Sequence, residues 1–315
     1  MVFSVVWIWL AWHNFLARLA RACRLFRQVR HKIFCWLLRH CDYRWLLRLA
    51  ALGRRLGLGN RAERRRAFVA AANKQCLIDD GRRLDYAALC YRRRLFELAA
   101  TFGQNPQLLA QLERCKTELD AVVKPLHQAG SPVVLAPLHM VSDVLAGIVG
   151  SAVFPGKATV IVSASVENYD QQTRQAAGIN LSYCSIHDDN RAIADNLTSA
   201  IMAAATNQQN IMLFPDITPD YTAQGQAAKS AKLGCRLFGR PARLHSGIIR
   251  IARALAAQVV FYYLYYDKGI KIYIYQPVAS RDLKGKLPEI IEASLRRHPD
   301  DWTLWHSHSL FFINE

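Results

Sequence analysis

A histidine and an aspartate four positions apart are the first pair whose types and spacing could do chemistry. His139 follows a short apolar run over residues 132–137, and Asp143 comes after it in the segment PLHMVSDV. If this segment is helical, residues i and i+4 share one face, and the carboxylate accepts a hydrogen bond from one ring nitrogen. The other nitrogen is then free to take a proton from a hydroxyl. The pair predicts general-base catalysis, and a core histidine beside a helix carboxylate is the alternative interpretation.

A second polar group follows another apolar run, in NIMLFPDITPDYT over residues 210–222. Its polar members are Asp216, Asp220 and Tyr221. Open α/β sheets bind their ligands beyond the carboxyl ends of the strands, so this segment and His139 both stand where a site is expected. A turn rich in proline and aspartate is the alternative that needs no function.

A third segment, GCRLFGRPARLHSGIIRIARALAAQVV, carries clustered arginines. Gly239 and Pro241 predict a turn, and a helix is expected to begin near Ala242. Helix N-termini and guanidinium groups both favour anions, which makes this turn a candidate phosphate site. The candidate residues are Arg236, Arg240 and Arg243, with Arg191 in DDNRAIADNL as a further candidate. A solvated basic loop is the alternative.

Strands that alternate with helices are expected to position these residues. The expected strands lie at 132–137, 158–165, 181–186 and 211–215. QVVFYYLYY and KIYIYQPV are expected to form an antiparallel pair around a turn at Asp267, Lys268 and Gly269. The expected helices lie at 144–154, near YDQQTRQAA, at about 191–206 and at about 241–256. This alternation predicts an α/β fold in which helices flank both faces of a mixed central sheet.

Composition divides the chain into three regions. Residues 1–60 are basic, aromatic and helical, and they are predicted to be membrane-anchoring helices. Residues 61–130 show only helical patterns, with a helix start expected at Asn105 and Pro106. Residues 131–315 are expected to form the α/β core.

The N-terminal region has the composition of a helix at a membrane interface. Arginines alternate there with Trp, Phe and Leu, and the opening run MVFSVVWIWLAW is shorter than the about 20 apolar residues of a spanning helix. The run also lacks the pattern of a secretory signal, and a buried core helix is the alternative for residues 1–20. The net charge of +17 then indicates an anionic membrane surface as partner. No nucleic-acid-binding motif is present, so nucleic acid is not an expected partner.

The eight cysteines are scattered, and no two of them stand at Cys-x-x-Cys spacing. That spacing argues against a zinc site, and a chain of this length needs no disulfide framework. Reduced thiols in a protein that faces the cytosol are expected, with no metal and no cofactor.

The three segments, taken together and in this order, resemble the late acyltransferases of lipid A biosynthesis. These are the lauroyl and myristoyl transferases, within the lysophospholipid acyltransferase superfamily. The resemblance rests on the His-x-x-x-Asp segment, the Pro-Asp…Asp-Tyr loop, the segment LFGRPARLHSGIIRIARALAAQVV, and HPDDWTLWHSHSLFF with Trp302, Trp305 and His306. It covers most of the chain and is strongest from residue 131 onward. Three residues separate His139 from Asp143, where the family most commonly has four.

This resemblance implies a glycerol-3-phosphate acyltransferase-like fold and direct acyl transfer from a carrier-protein thioester to a lipid hydroxyl. His139 would be the general base, Asp143 would orient it, and Asp216, Asp220 and Tyr221 would shape the acceptor site. The implied partners are an acyl carrier protein or similar donor and a membrane lipid acceptor, at the cytoplasmic face of a bacterial inner membrane. Carrier-dependent aminoacyl transfer, such as glycyl transfer to lipid A, and a non-catalytic membrane-bound lipid-binding protein stay open as alternatives.

Overall fold

A computed structural model describes residues 32–55, 61–162, 181–185, 190–218 and 232–313, with several single residues between 12 and 29. The elements described before residue 129 are all helices. Residues 32–40 form one helical stretch, and the helices that follow are α1 (Tyr43–Arg55), α2 (Arg61–Leu77), α3 (Tyr86–Thr101) and α4 (Pro106–Gln128). The start of α4 confirms the prediction, because the Asn105 side chain accepts a hydrogen bond from the Leu108 N–H and Pro106 occupies the first turn.

A mixed sheet forms the centre of the α/β region. Its strands are β1 (Val133–Pro137), β2 (Ala158–Val162), β3 (Leu181–Ser185), β4 (Asn210–Met212), β7 (Gln258–Tyr266), β8 (Ile270–Ile274) and β9 (Val278–Ala279), and β5 (Lys232–Leu237) and β6 (Arg240–His245) form a separate hairpin. The order across the sheet is β3-β2-β4-β1-β7-β8, with β9 also paired to β7. Strands β3, β2, β4, β1 and β7 run parallel, and β8 and β9 are antiparallel to β7.

Helices cover both faces of this sheet. The remaining helices are α5 (Asp143–Ala152), α6 (Asn190–Ala205), α7 (Gly247–Ala254) and α8 (Leu283–Arg297). Val134 and Ala136 of β1 pack into a core with α7 and α8, whereas Val133 and Leu135 pack into a second core with α3, α4 and α5. Since successive side chains of a strand point to opposite faces, a strand buried on both faces reads as the continuous apolar run VVLAP. The mixed α/β fold with flanking helices is therefore confirmed.

Helix α5 lies very close to the sheet. A Cβ at Gly150 would collide with the Tyr262 hydroxyl and the Met212 side chain, so only glycine allows this approach. The Tyr262 hydroxyl donates to the Ala146 carbonyl at 2.8 Å. The Ala146 bond joins the first turn of α5 to Tyr262, which pairs with Pro137 at the carboxyl end of β1.

The helix expected at 241–256 is wrong in its first part, because residues 240–245 form strand β6 of the hairpin. Phe238 and Gly239 both have positive φ, 52° and 75°, as a two-residue hairpin turn requires. The Arg243 N–H donates to the Phe311 carbonyl at 2.7 Å, so the C-terminal segment pairs with β6 from its other side. These long-range bonds outweigh the local helix preference, and α7 begins only at Gly247. The helix expected near YDQQTRQAA lies outside the described residues.

No helix within the described ranges is long and apolar enough to cross a membrane.

Candidate active site

His139 and Asp216 form a hydrogen-bonded pair at the carboxyl edge of the sheet. His139 follows β1 and Asp216 follows β4, and the two strands are parallel neighbours with Leu135 opposite Met212. The ends of neighbouring parallel strands meet at one edge, which brings together residues 77 positions apart. His139 Nδ1 lies 2.8 Å from Asp216 Oδ1, and Asp216 is fully buried.

The Asp216 carboxylate receives hydrogen bonds on both oxygens. Oδ1 accepts from His139 Nδ1, and Oδ2 accepts from the His139 backbone N–H and from Trp302 Nε1, both at 2.9 Å. A buried carboxylate is costly unless donors replace the water it has lost, and here three donors do so. The two donors at Oδ2 also fix the orientation of the carboxylate toward the imidazole.

This arrangement sets the tautomer and the charge of His139. Asp216 accepts the Nδ1 proton, which leaves Nε2 as the unprotonated nitrogen of the neutral ring. Burial lowers the pKa of His139, but the charge and hydrogen bond of Asp216, with a smaller contribution from Asp143, outweigh burial and raise that pKa above its ordinary value. The His139 side chain is 14% exposed, and none of the described residues hydrogen-bonds Nε2. The ring therefore has the tautomer that a general base needs.

The structure corrects the predicted role of Asp143 as the hydrogen-bond partner of His139. Residues 139–142 are not helical, because α5 begins at Asp143 with Ser142 as its N-cap, so the i, i+4 argument does not apply. The Asp143 Oδ1 atom lies 2.6 Å from Arg93 Nη2 in an ion pair. Its charge still contributes to the raised pKa of His139, so Asp143 belongs to the surroundings of the site.

Helix α3 supplies a charged network whose residues, Arg93 and Glu97, are not among the site residues predicted from the sequence. Arg93 pairs with Asp143 and also donates from Nε to Glu97 Oε1 at 2.8 Å, while the Ser142 hydroxyl donates to the same oxygen at 2.8 Å. The arginine and glutamate stand at i, i+4 on α3, which was the one available sequence signal. The network connects α3 to the start of α5. The segment between β1 and α5, residues 138–142, carries His139 and is called the His139 loop below.

The C-terminal segment holds the backbone of the His139 loop. Thr303 donates to the His139 carbonyl from its N–H at 2.8 Å and from its hydroxyl at 2.9 Å. The Val141 N–H donates to the Asp301 carbonyl at 2.8 Å. Val141 has a φ of 60°, a conformation that costs a β-branched residue about 1–3 kcal/mol. Strain of this kind persists only where the surrounding contacts impose it, so the loop is held in a defined shape.

The three candidate arginines of the hairpin do not cluster at a helix start. Arg236 and Arg243 lie on one face of the β5–β6 ribbon, and Arg240 lies on the other, opposite Leu237. Arg236 donates to the Gly239 carbonyl at 2.6 Å, and both Arg236 and Arg240 are exposed. The predicted three-arginine cluster is thus wrong in its geometry. Asp220, Tyr221 and the side chain of Arg191 lie outside the described residues.

A comparison of the chain with models of known protein families and with curated proteins finds no match.

Proposed function

We propose that the chain is a membrane-associated acyltransferase that moves an acyl group from a carrier-protein thioester to a lipid hydroxyl. The observation that carries this proposal is the His139–Asp216 pair at the carboxyl edge of the sheet. Its buried carboxylate, fixed tautomer and half-buried imidazole are the parts of a general base that acts on a hydroxyl. A glycerol-3-phosphate acyltransferase-like form of the α/β fold, and lipid A-like or other glycolipid acceptors, belong to the same proposal.

In this mechanism His139 Nε2 takes the proton of the acceptor hydroxyl while the hydroxyl oxygen attacks the thioester carbonyl carbon. A C–O bond forms, and the carbonyl π electrons move to oxygen. When the tetrahedral intermediate collapses, the C–S bond breaks and the imidazolium returns its proton to the departing sulfur. Asp216 stabilises the imidazolium through the Nδ1 hydrogen bond. A positioned base of this kind contributes about 10²–10⁴-fold to the rate.

Exposed apolar side chains on the N-terminal helices support the membrane part of the proposal. Trp45, Leu49 and Leu52 lie at i, i+4 and i+7 of α1, and each is more than half exposed. The Arg48 guanidinium lies 5.1 Å from the Trp45 ring centroid. An apolar face flanked by arginines suits the interface of an anionic membrane, and the cytoplasmic face of a bacterial inner membrane is the proposed location.

The proposal is tested with the purified full-length protein, acyl-loaded acyl carrier protein and a bacterial lipid extract. Mass spectrometry should find a lipid that gains one acyl group, and His139→Ala should abolish this product while it keeps a normal thermal melt. A wild-type protein that transfers nothing from acyl or aminoacyl carriers would contradict the proposal, and so would a folded His139→Ala protein with normal activity.

A further inference from the structure

A second histidine, His306, is linked through Thr303 to the backbone of His139 and has no part in the mechanism above. His306 belongs to the 3-10 helix Trp305–Leu310 and is half-buried. Its Nδ1 atom lies 2.6 Å from the hydroxyl oxygen of Tyr86, a buried residue of α3. Thr303 connects the two histidines, because its carbonyl accepts from the Tyr86 hydroxyl at 3.0 Å and its N–H donates to the His139 carbonyl.

The hydrogen bonds assign the tautomer of His306. Tyr86 has a single hydroxyl proton, which the Thr303 carbonyl accepts. Burial raises the pKa of Tyr86, so the hydroxyl keeps that proton. The short contact between Tyr86 and His306 then requires the Nδ1 proton of His306 to be the donor, and the 3.3 Å contact from Nδ1 to the Thr303 carbonyl requires the same. The second ring nitrogen, Nε2, consequently carries a lone pair.

The surroundings keep His306 neutral. Burial lowers the pKa of His306, and the positive charges of Arg66 and Arg93 lower it further, while the hydrogen bond to Thr303 opposes them only in part. Arg93 also lowers the pKa of His139, so the same guanidinium lies near both rings. None of the described residues hydrogen-bonds Nε2 of His306. A neutral imidazole in this setting accepts hydrogen bonds, and the nearby arginines disfavour a cationic ligand.

We propose that His306 Nε2 accepts a hydrogen bond from a second, non-reacting hydroxyl of the acceptor and so selects acceptors that carry more than one hydroxyl. This inference rests on the proposed acyl transfer and adds a specificity residue to it. Tyr86 acts as a positioning residue, because its hydroxyl holds the Nδ1 proton in place and leaves Nε2 for the ligand.

The kinetic test compares two acceptors with a decanoyl carrier-protein donor, in a zwitterionic detergent without hydroxyl groups. Hexyl β-glucoside offers several hydroxyls, and 1-hexanol offers one. His306→Phe should raise KM for hexyl glucoside by about three- to tenfold, the value of one neutral hydrogen bond, and leave KM for hexanol unchanged. His306→Gln, which keeps an acceptor oxygen, should raise KM for hexyl glucoside less than His306→Phe does.

His308→Phe is the matched control, because His308 lies in the same 3-10 helix, is buried, and makes no hydrogen bond from either ring nitrogen to any described residue. His308→Phe should leave KM unchanged for both hexyl glucoside and hexanol. An equal change for both acceptors in His306→Phe would mean a structural role only, and no change for either would overturn the proposal.

Nitrogen NMR of histidine-labelled full-length protein tests the site independently of turnover. In the wild type, His306 should show a protonated Nδ1 and an unprotonated Nε2. In Tyr86→Phe, the population of the opposite tautomer, with the proton on Nε2, should increase. Hexyl glucoside should shift the Nε2 signal and hexanol should not. If the wild type transfers no acyl group, acyl transfer is wrong, and this titration alone then decides whether His306 binds a hydroxyl. A protonated Nε2, or no shift with hexyl glucoside, overturns the inference.

Discussion

The indole N–H of Trp302 donates to Asp216 Oδ2 at 2.9 Å across 86 residues of sequence. Trp302 is buried. Its neighbours Asp301 and Thr303 hydrogen-bond the backbone of the His139 loop, Asp301 at Val141 and Thr303 at His139. The C-terminal segment therefore completes the hydrogen bonds of the His139–Asp216 pair, whose two residues follow neighbouring strands.

Replacing Trp302 with Phe tests this positioning role. The ring stays apolar, but one donor to a buried carboxylate is lost, which is worth about 1.5–3 kcal/mol for a hydrogen bond to a charged group. We expect kcat to fall by about ten- to a hundredfold with little change in KM. Trp305→Phe is the control, because Trp305 is equally buried and donates to the Pro299 carbonyl at 2.7 Å instead. Equal losses of kcat in the two variants would show a packing effect alone.

Asp216→Asn should damage catalysis far more than Asp143→Asn. The two N–H donors at Oδ2 require an oxygen there, so the asparagine amide nitrogen must face His139 Nδ1. This forces the tautomer with the proton on Nε2, which cannot act as a base, and kcat should fall on the order of 10³-fold or more. Asp143→Asn leaves the tautomer intact and should cost only a few-fold. A larger loss for Asp143→Asn, measured as lipid product, would return the orienting role to Asp143.

The pH dependence of transfer should follow the raised pKa of His139. The unprotonated ring is the active base, so kcat/KM should be lost as the pH falls through a pKa above about 6.5, the ordinary histidine value. In Asp216→Asn the charge that raises this pKa is gone, while burial still lowers it, so the His139 titration should move to lower pH. Proton NMR of the ring measures both midpoints. A midpoint that does not move in the variant would contradict the assigned cause.

Arg236 and Arg243 share one face of the β5–β6 hairpin, so their substitutions should affect substrate binding together, whereas Arg240 lies on the other face. If the face that carries Arg236 and Arg243 binds a phosphate of the donor or acceptor, the double change to Gln should raise KM for that substrate and weaken its salt dependence. Arg240→Gln, on the opposite face, serves as the control and should leave KM unchanged. Steady-state kinetics at two ionic strengths distinguish the outcomes, and equal constants in all variants would make these arginines a solvated surface.

The apolar face of α1 should contribute to membrane binding. Trp45→Glu with Leu49→Glu should lower the fraction of protein on anionic vesicles by at least about tenfold, because each buried apolar side chain is worth about 1.5–3 kcal/mol. Met202→Glu is a matched control, since Met202 is similarly exposed on α6. Vesicle flotation measures the bound fraction. Unchanged flotation of the double variant would contradict a role for this face.

Local pattern was sufficient for much of the fold. The apolar run VVLAP predicts buried strand β1, Asn105 and Pro106 predict the start of α4, and Asp267, Lys268 and Gly269 predict the turn between β7 and β8. In each case the deciding residues lie within a few positions of one another. Capping, turn formation and burial of a short strand depend on such neighbours.

The partners of the site residues were decided by tertiary structure. The sequence predicts both His139 and Asp216 as site residues, but it predicts Asp143 as the acceptor of the hydrogen bond that Asp216 accepts. Spacing along the chain favours Asp143, which is four residues from His139. The parallel pairing of β1 and β4 instead brings Asp216 to His139 Nδ1. Strand order and the packing of the C-terminal segment place Trp302, because long-range contacts depend on how the whole chain packs and not on local sequence spacing.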